Sequence, residues 1–249
     1  MGAAYTGWYH YLKKDRIYLN NSLNDQAYLG SSYTNEAIEK YLNSYNLTYT
    51  KLDNVTLCDT VSSALKQKQI VGWFQDEMEF GPRALGHRSI LASPLFEDMK
   101  KHVNLNIKFR EGFRPFAPIV LEEDCNAWFD MKHTISKYML FTVKSNKRNE
   151  IPSCIHEDNT ARVQTLNKEE NKLLHELISN FKLKTECPVL INTSFNVRGE
   201  PIVESPLDAL RCFFHTKMDV LVLGNFVLNK VDNLKVDEQL IVSKNYELD

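Results

Sequence analysis

Cysteine is scarce and unpaired in this chain: Cys58, Cys125, Cys154, Cys187 and Cys212 are odd in number, widely spaced and form no Cys-x-x-Cys. That speaks against a disulfide framework or a cysteine-based zinc site and points to a reduced, cytosolic setting. No apolar run approaches about 18 residues, so no transmembrane helix is expected. The N-terminus lacks the basic-then-apolar order of a secretory signal. Net positive charge is lacking too; the formal charge of −2 argues against a surface generally coated with nucleic acid. No Gly-Lys-Ser/Thr follows a glycine-rich loop, no Gly-x-Ser-x-Gly elbow occurs, and no Ser or Cys belongs to an evident His–Asp set. Any catalysis is then expected to come from positioning and charge neutralisation rather than a covalent enzyme intermediate.

What is present is an uneven use of cations. Six of the nine arginines (Arg83, Arg88, Arg110, Arg114, Arg162 and Arg198) fall in three short motifs, while the 21 lysines are spread along the chain. Arginine grips phosphate or carboxylate with a planar fork of donors, which lysine cannot do. Residues 80–114 hold four Arg and three Lys against Glu97, Asp98 and Glu111, a local net of +4. A focused anion site, rather than a basic surface, is the expectation.

The patterning gives interleaved strands and helices, hence a mixed α/β or α+β sheet domain. Strands are predicted at Ile70–Phe74, Ala117–Leu121, Tyr138–Val143, Arg162–Leu166 and Val189–Ile191, with a hairpin of Val220–Leu223 and Phe226–Leu228 around Gly224-Asn225. Helices are predicted across residues 1–12, after Thr34, after Asp59-Thr60, over 97–107, over Glu122–Phe129, after Asn167 with Glu170 as a capping box, and after Ser205-Pro206. Residues 13–33 read as polar and turn-rich, and residues 231–249 as a charged peripheral tail.

Each arginine motif has a bland reading and a chemical one. In Glu79-Phe-Gly-Pro-Arg-Ala-Leu-Gly-His-Arg-Ser89, glycines would let backbone N–H groups approach an anion that Arg83 and Arg88 neutralise; taken alone, the stretch is a glycine-punctuated turn with solvated arginines. Lys108-Phe-Arg-Glu-Gly-Phe-Arg-Pro-Phe116 interleaves cations with aromatics that could stack a purine, or that could simply be core under a basic rim. His156, Asp158, Thr160 and Arg162 share one turn, where Asp158 suits a turn former and His156 a hydrogen-bonding histidine better than a metal pair. Asn192, Ser194, Asn196 and Arg198 follow a predicted strand, a common place for a ligand, or for an Asx-turn.

Read in order, these motifs, with Gly72-Trp-Phe-Gln75, Met78–Leu91, Asn159–Gln164 and Cys187–Pro201, resemble the C-terminal part of the O-carbamoyltransferase family that includes nodulation (NodU) and antibiotic-tailoring (TobZ) enzymes. The resemblance covers roughly residues 1–230. It implies a YrdC-like twisted mixed sheet flanked by helices over 46–230, preceded at 1–45 by the end of a transferase domain and a linker. It implies formation of carbamoyl adenylate from ATP, with Mg2+, and carbamoyl phosphate. Lys108, Arg110 and Arg114 would then neutralise charge during catalysis. Arg83, Arg88, Thr160, Arg162, Asn192, Ser194, Asn196 and Arg198 would bind the substrates. An iron-type metal site would lie only in a separate transferase domain or subunit, which would be the protein's partner; no membrane partner is expected, nor nucleic acid. Where the family has Gly-Arg before Met-Glu-Phe-Gly-Pro-Arg, this chain has Asp76-Glu77, an expected weakening of the anion site's edge. The chain is accordingly expected to be part of a carbamoyltransferase or one half of a split one. The alternatives are a catalytically incomplete nucleotide- or RNA-binding module and, more distantly, a threonylcarbamoyl-adenylate-type synthase.

Overall fold

The most apolar runs of the chain become the strands at the centre of the fold. The computed structural model describes residues 2–15, 27–132 and 135–235. Val71–Phe74 (β2), Ala117–Leu121 (β4) and Val220–Leu223 (β9) are buried at every position. With Thr50–Lys51 (β1), Arg88–Ala92 (β3), Gln164–Leu166 (β7), Val189–Ser194 (β8) and Phe226–Asn229 (β10), they form an eight-stranded sheet ordered β1-β10-β9-β2-β3-β8-β4-β7. The β2–β9 and β4–β7 pairs are parallel and the others antiparallel. Thr142–Lys144 (β5) and Thr160–Arg162 (β6) pair separately. Strands covered on both sides read as continuous apolar runs, which is why these were legible without alternation.

The helices are Gly2–Tyr5 (α1), Asn35–Ser44 (α2), Asn54–Lys66 (α3), Met99–Asn106 (α4), Cys125–Trp128 (α5), Lys172–Thr185 (α6) and Pro206–His215 (α7). A π-helical turn, Thr6–Tyr11, extends α1. α3 packs along α6 and reaches the sheet at β2; α6 covers β4 and β8, and α7 covers β2 and β9. Their fully buried Leu57, Leu65, Phe181 and Phe213 join Trp73 and Phe195 in one core, each large side chain contributing about 1.5–3 kcal/mol on burial. α7 starts on a reciprocal capping box between Ser205 and Asp208, with Pro206 in its first turn; such a cap is worth about 1 kcal/mol.

Several expectations shift. α3 begins five residues before Asp59, because Asp53 accepts from the backbone N–H groups of Val55 and Thr56. α6 is capped by Asn171, not Asn167. The expected strand 162–166 is broken at Val163, with Gln164–Leu166 in the main sheet and Arg162 in the small one. Of the expected Tyr138–Val143 strand only its end is extended, and Met139 takes φ +55°. β3 was hidden inside the arginine motif. The proposed tail lies outside the described residues from 236 onward, as does 16–26 of the polar stretch. No helix among the described residues is long and apolar enough to cross a membrane.

Candidate functional site

β8 runs antiparallel between β3 and β4, so its last residues emerge beside the first residues of both neighbours. Asn192 faces Leu91 on one side and Ala117 on the other, and Ser194 faces Ser89. Two loops converge there, one ahead of β3 and one ahead of β4. Together they wall a cleft of about 130 Å³ lined by, among others, Arg83, Arg110, Arg162, Asn192 and Ser194.

The loop ahead of β3 is wound on a buried carboxylate. Glu79 Oε1 accepts from the backbone N–H of Leu85 (2.7 Å) and of His87 (2.8 Å), and Oε2 accepts from that of Arg88 (3.2 Å). The carbonyls of the loop are held as well: Leu85 O accepts from Gln164 Nε2 (2.8 Å) and Tyr28 Oη (3.2 Å), and Ala84 O from Asn192 Nδ2 (3.2 Å). Gly86 sits at φ +117°, and a Cβ there would meet Leu174 Cδ2 at 2.4 Å. The result is a fixed loop that leaves Arg83 exposed at the cleft.

The loop ahead of β4 is wound on Asn104, which is wholly buried. Its Nδ2 donates to Arg114 O (2.8 Å) and Gly112 O (3.3 Å), while its Oδ1 accepts from Arg110 Nε (2.7 Å). Arg110 is thereby laid over the Phe116 ring, 5.0 Å from its centroid, and among the described residues Asn104 is the one side chain it donates to.

Lys108 lies beneath the floor. It is buried, and its Nζ donates to Ser194 O, Ser194 Oγ (3.1 Å), Asn196 O (3.0 Å) and Asn196 Oδ1 (2.8 Å). It ties the end of β8 to the following turn. Burial pushes its pKa down to about 7, a shift that the nearby Cys212 opposes and Arg110 reinforces.

The charge in the cleft is not neutralised from within. Among the described residues Arg83, Arg110 and Arg162 make no ion pair. Burial lowers the pKa of Arg162, and the charge of Arg83 lowers it further. Arg110 is lowered by burial and then by Arg114, a shift that the charge of Glu111 opposes. Cations held near one another, with no carboxylate in ion-pair contact among the described residues, form a site that an anion relieves.

The other sequence-derived residues are placed differently. Arg88 is placed apart from the cleft lining. It is fully buried, lies 3.6 Å over the Phe74 ring, and donates to the carbonyls of Gln75, Ser31 (2.9 Å) and Asp76 (3.1 Å). It fastens the 27–33 segment to β2 and does not line the cleft. Burial lowers its pKa to about 10, opposed first by the charge of Glu79 and then by Tyr33, Asp76 and Glu77. Neither Asp76 nor Glu77 lines the cleft. Arg114 is exposed and pairs with Glu111 at 2.8 Å. Thr160 Oγ1 is engaged by Asp158 (2.6 Å) and His156 (3.0 Å), a turn as the sequence suggested. Arg198 is exposed on the turn after β8, away from the cleft lining. Sequence reasoning gave no role to Glu79, Asn104 or Gln164. The available signal was a lone acid or amide beside a glycine-rich cationic loop, which needs a partner for its turning backbone.

The family model described as Carbamoyltransferase C-terminus matches residues 62–230. The chain belongs to that family. Its match runs from within α3 through β10, so it encloses both loops and all three cleft arginines of this carbamoyltransferase C-terminal domain. Nodulation protein NolNO of Sinorhizobium fredii is 42% identical over 70% of this chain and 27% of its own length. The 3'-hydroxymethylcephem-O-carbamoyltransferase of Amycolatopsis lactamdurans is 36% identical over 60% of this chain and 28% of its own. The chain spans less than half the length of the curated relatives it matches. Among solved structures, full-length HypF in its phosphate- and nucleotide-bound form superposes with a TM-score of 0.50 at 18% identity, over 68% of this chain and 25% of that one. The fold is the YrdC-like one expected from the sequence.

Proposed function

We propose that this carbamoyltransferase C-terminal domain activates carbamoyl phosphate with ATP. The observation that supports it most is the convergence of Arg83, Arg110 and Arg162, which make no ion pair among the described residues, on a cleft at the end of β8. A volume of about 130 Å³ falls well below the roughly 300–1,000 Å³ of pockets that enclose whole drug-sized ligands. It suits one small phosphorylated group, with the rest of a nucleotide lying outside. Phe80, Phe109 and Phe113, on the loops that carry Arg83 and Arg110, are exposed and offer rings on which adenine can stack.

In this reading, water first cleaves carbamoyl phosphate to carbamate and phosphate. A carbamate oxygen then attacks the α-phosphorus of ATP, the bond to the β-phosphate oxygen breaks, and carbamoyl adenylate and pyrophosphate form. The three guanidiniums neutralise the phosphate charge through paired hydrogen bonds. Lys108 serves as a positioning residue, holding Ser194 and Asn196 at the floor. The described residues gather no group of three or more His, Cys, Asp or Glu side chains that could hold a metal. No resident metal is therefore assigned to them, and magnesium enters as the counter-ion of ATP. Transfer of the carbamoyl group to a hydroxyl would be the work of a separate domain or subunit.

The test is pyrophosphate release by the purified chain. It should require ATP and carbamoyl phosphate together and fall at least tenfold in Arg162→Ala. Release that ignores carbamoyl phosphate, or RNA binding with a steep salt dependence and no turnover, would favour the binding-module alternative.

A further inference from the structure

One residue of the cleft lining, Asn192, carries a buried acceptor that has no partner among the described residues. Asn192 is 1% exposed, and its Oδ1 has no hydrogen-bond partner. The orientation of the amide is decided by its other end. Asn192 Nδ2 donates to Ala84 O (3.2 Å), which can only accept, and to Gln164 Oε1 (2.7 Å). Gln164 is oriented in turn by its own Nε2 donating to Leu85 O (2.8 Å). Two backbone carbonyls therefore fix both amides and leave Asn192 Oδ1 as the free acceptor. Its cross-strand neighbours, Leu91 and Ala117, have no side-chain donor to give it. A buried acceptor without a donor is uncommon and destabilising, and three guanidiniums line the same small cleft without supplying one.

We infer that Asn192 selects the carbamoyl group, its Oδ1 accepting an N–H of the carbamoyl amide while Arg83, Arg110 and Arg162 hold the phosphate of the same ligand. This rests on the reading of the cleft as the carbamoyl phosphate site. The arginines alone would accept any small phosphate ester; the acceptor beside them asks in addition for a neighbouring N–H. Acetyl phosphate, which carries a methyl group where carbamoyl phosphate carries NH2, matches the charge and shape but brings no donor. A site built around a hydrogen bond discriminates against an analogue that lacks the partner.

The experiment is titration calorimetry of the folded chain with carbamoyl phosphate, acetyl phosphate and inorganic phosphate. Carbamoyl phosphate should bind about tenfold or more tighter than acetyl phosphate, the ratio expected of one net buried hydrogen bond. In Asn192→Ala the ratio of the two affinities should fall to about one, with inorganic phosphate titrated alongside to separate this loss from a general weakening of the anion site. Gln164→Leu is the second variant, since it leaves Asn192 in place but removes the acceptor that orients its amide; the preference should shrink there as well. Equal affinity for the two esters in the wild-type chain, or an unchanged preference in either variant, overturns the role of Asn192 and leaves the anion site standing. Failure of all three ligands to bind the wild-type chain overturns the reading of the cleft and this inference with it.

Discussion

Arg83 and Arg88 stand five residues apart in one motif and live in opposite environments. Arg83 is exposed on the cleft with no ion pair among the described residues, whereas Arg88 is buried against Phe74 and four backbone carbonyls. The Glu79 carboxylate separates them: by collecting the N–H groups of Leu85, His87 and Arg88 it turns the chain from rim to core within a few residues. The same contrast recurs between Arg110 at the cleft and Lys108 beneath it. A cation-rich motif is thus two layers, an outer one that meets the ligand and an inner one that sets the shape of the loop.

The sharpest way to break this comparison is to remove an inner cation. Arg88→Leu strips the carbonyls of Gln75, His87, Ser31 and Asp76 of a donor, each such loss costing about 1–3 kcal/mol where the group is buried, so a total loss near 3–5 kcal/mol in denaturant unfolding is expected. Arg88→Lys should fail to rescue it, because one ammonium cannot span the fork. If Arg88→Leu unfolds like the wild type, the inner layer is not structural.

Arg83→Ala and Arg162→Ala should do the reverse. Each removes a cation that repels its neighbour, so stability should stay level or rise slightly. Phosphate affinity should fall about tenfold to a hundredfold, the range for a charge-assisted hydrogen-bond pair, as read by calorimetry.

Lys108 gives a pH-dependent contrast. Its folded pKa of about 7 lies below the ordinary lysine value, near 10.4 in an unfolded chain. Between those two values the unfolded chain binds the extra proton, so this group makes stability rise with pH from about 7 to about 10.4 and contributes no slope below that window. Lys108→Met should flatten the rise in a series of unfolding curves.

Thr160→Val should have the smallest effect. Its hydroxyl serves the Asp158–His156 turn alone, so a loss of about 0.5–1.5 kcal/mol with unchanged phosphate affinity is expected. A loss of affinity comparable to that of Arg162→Ala would return Thr160 to the outer layer.

The two layers also explain what could be read from sequence. β2, β4 and the β9–β10 hairpin were visible because their apolar runs have one interpretation. β3 was not, because its first residue is Arg88 and glycine and arginine crowd its approach; only the buried cradle of carbonyls makes an arginine a strand residue. The start of α3 was masked by Asn54 and Thr56, polar residues that read as loop until the Asp53 cap is seen. Asn167 and Asn171 compete as caps for α6, and choosing between them needs the tertiary position of Leu174 under Gly86. At the site, the arginine clusters were legible as a set. Which of them face a ligand was not, since Arg83 and Arg88 differ in burial and not in local pattern. Asn104 and Gln164 were missed because the backbone groups they hold lie eight or more residues away.

The most direct measurement of the two-layer account is a paired titration of inorganic pyrophosphate against the wild-type chain and Arg83→Ala, with the unfolding midpoint of each recorded in the same buffer. The account predicts affinity at least tenfold weaker in Arg83→Ala at an unchanged midpoint. Undiminished affinity in that variant would contradict it.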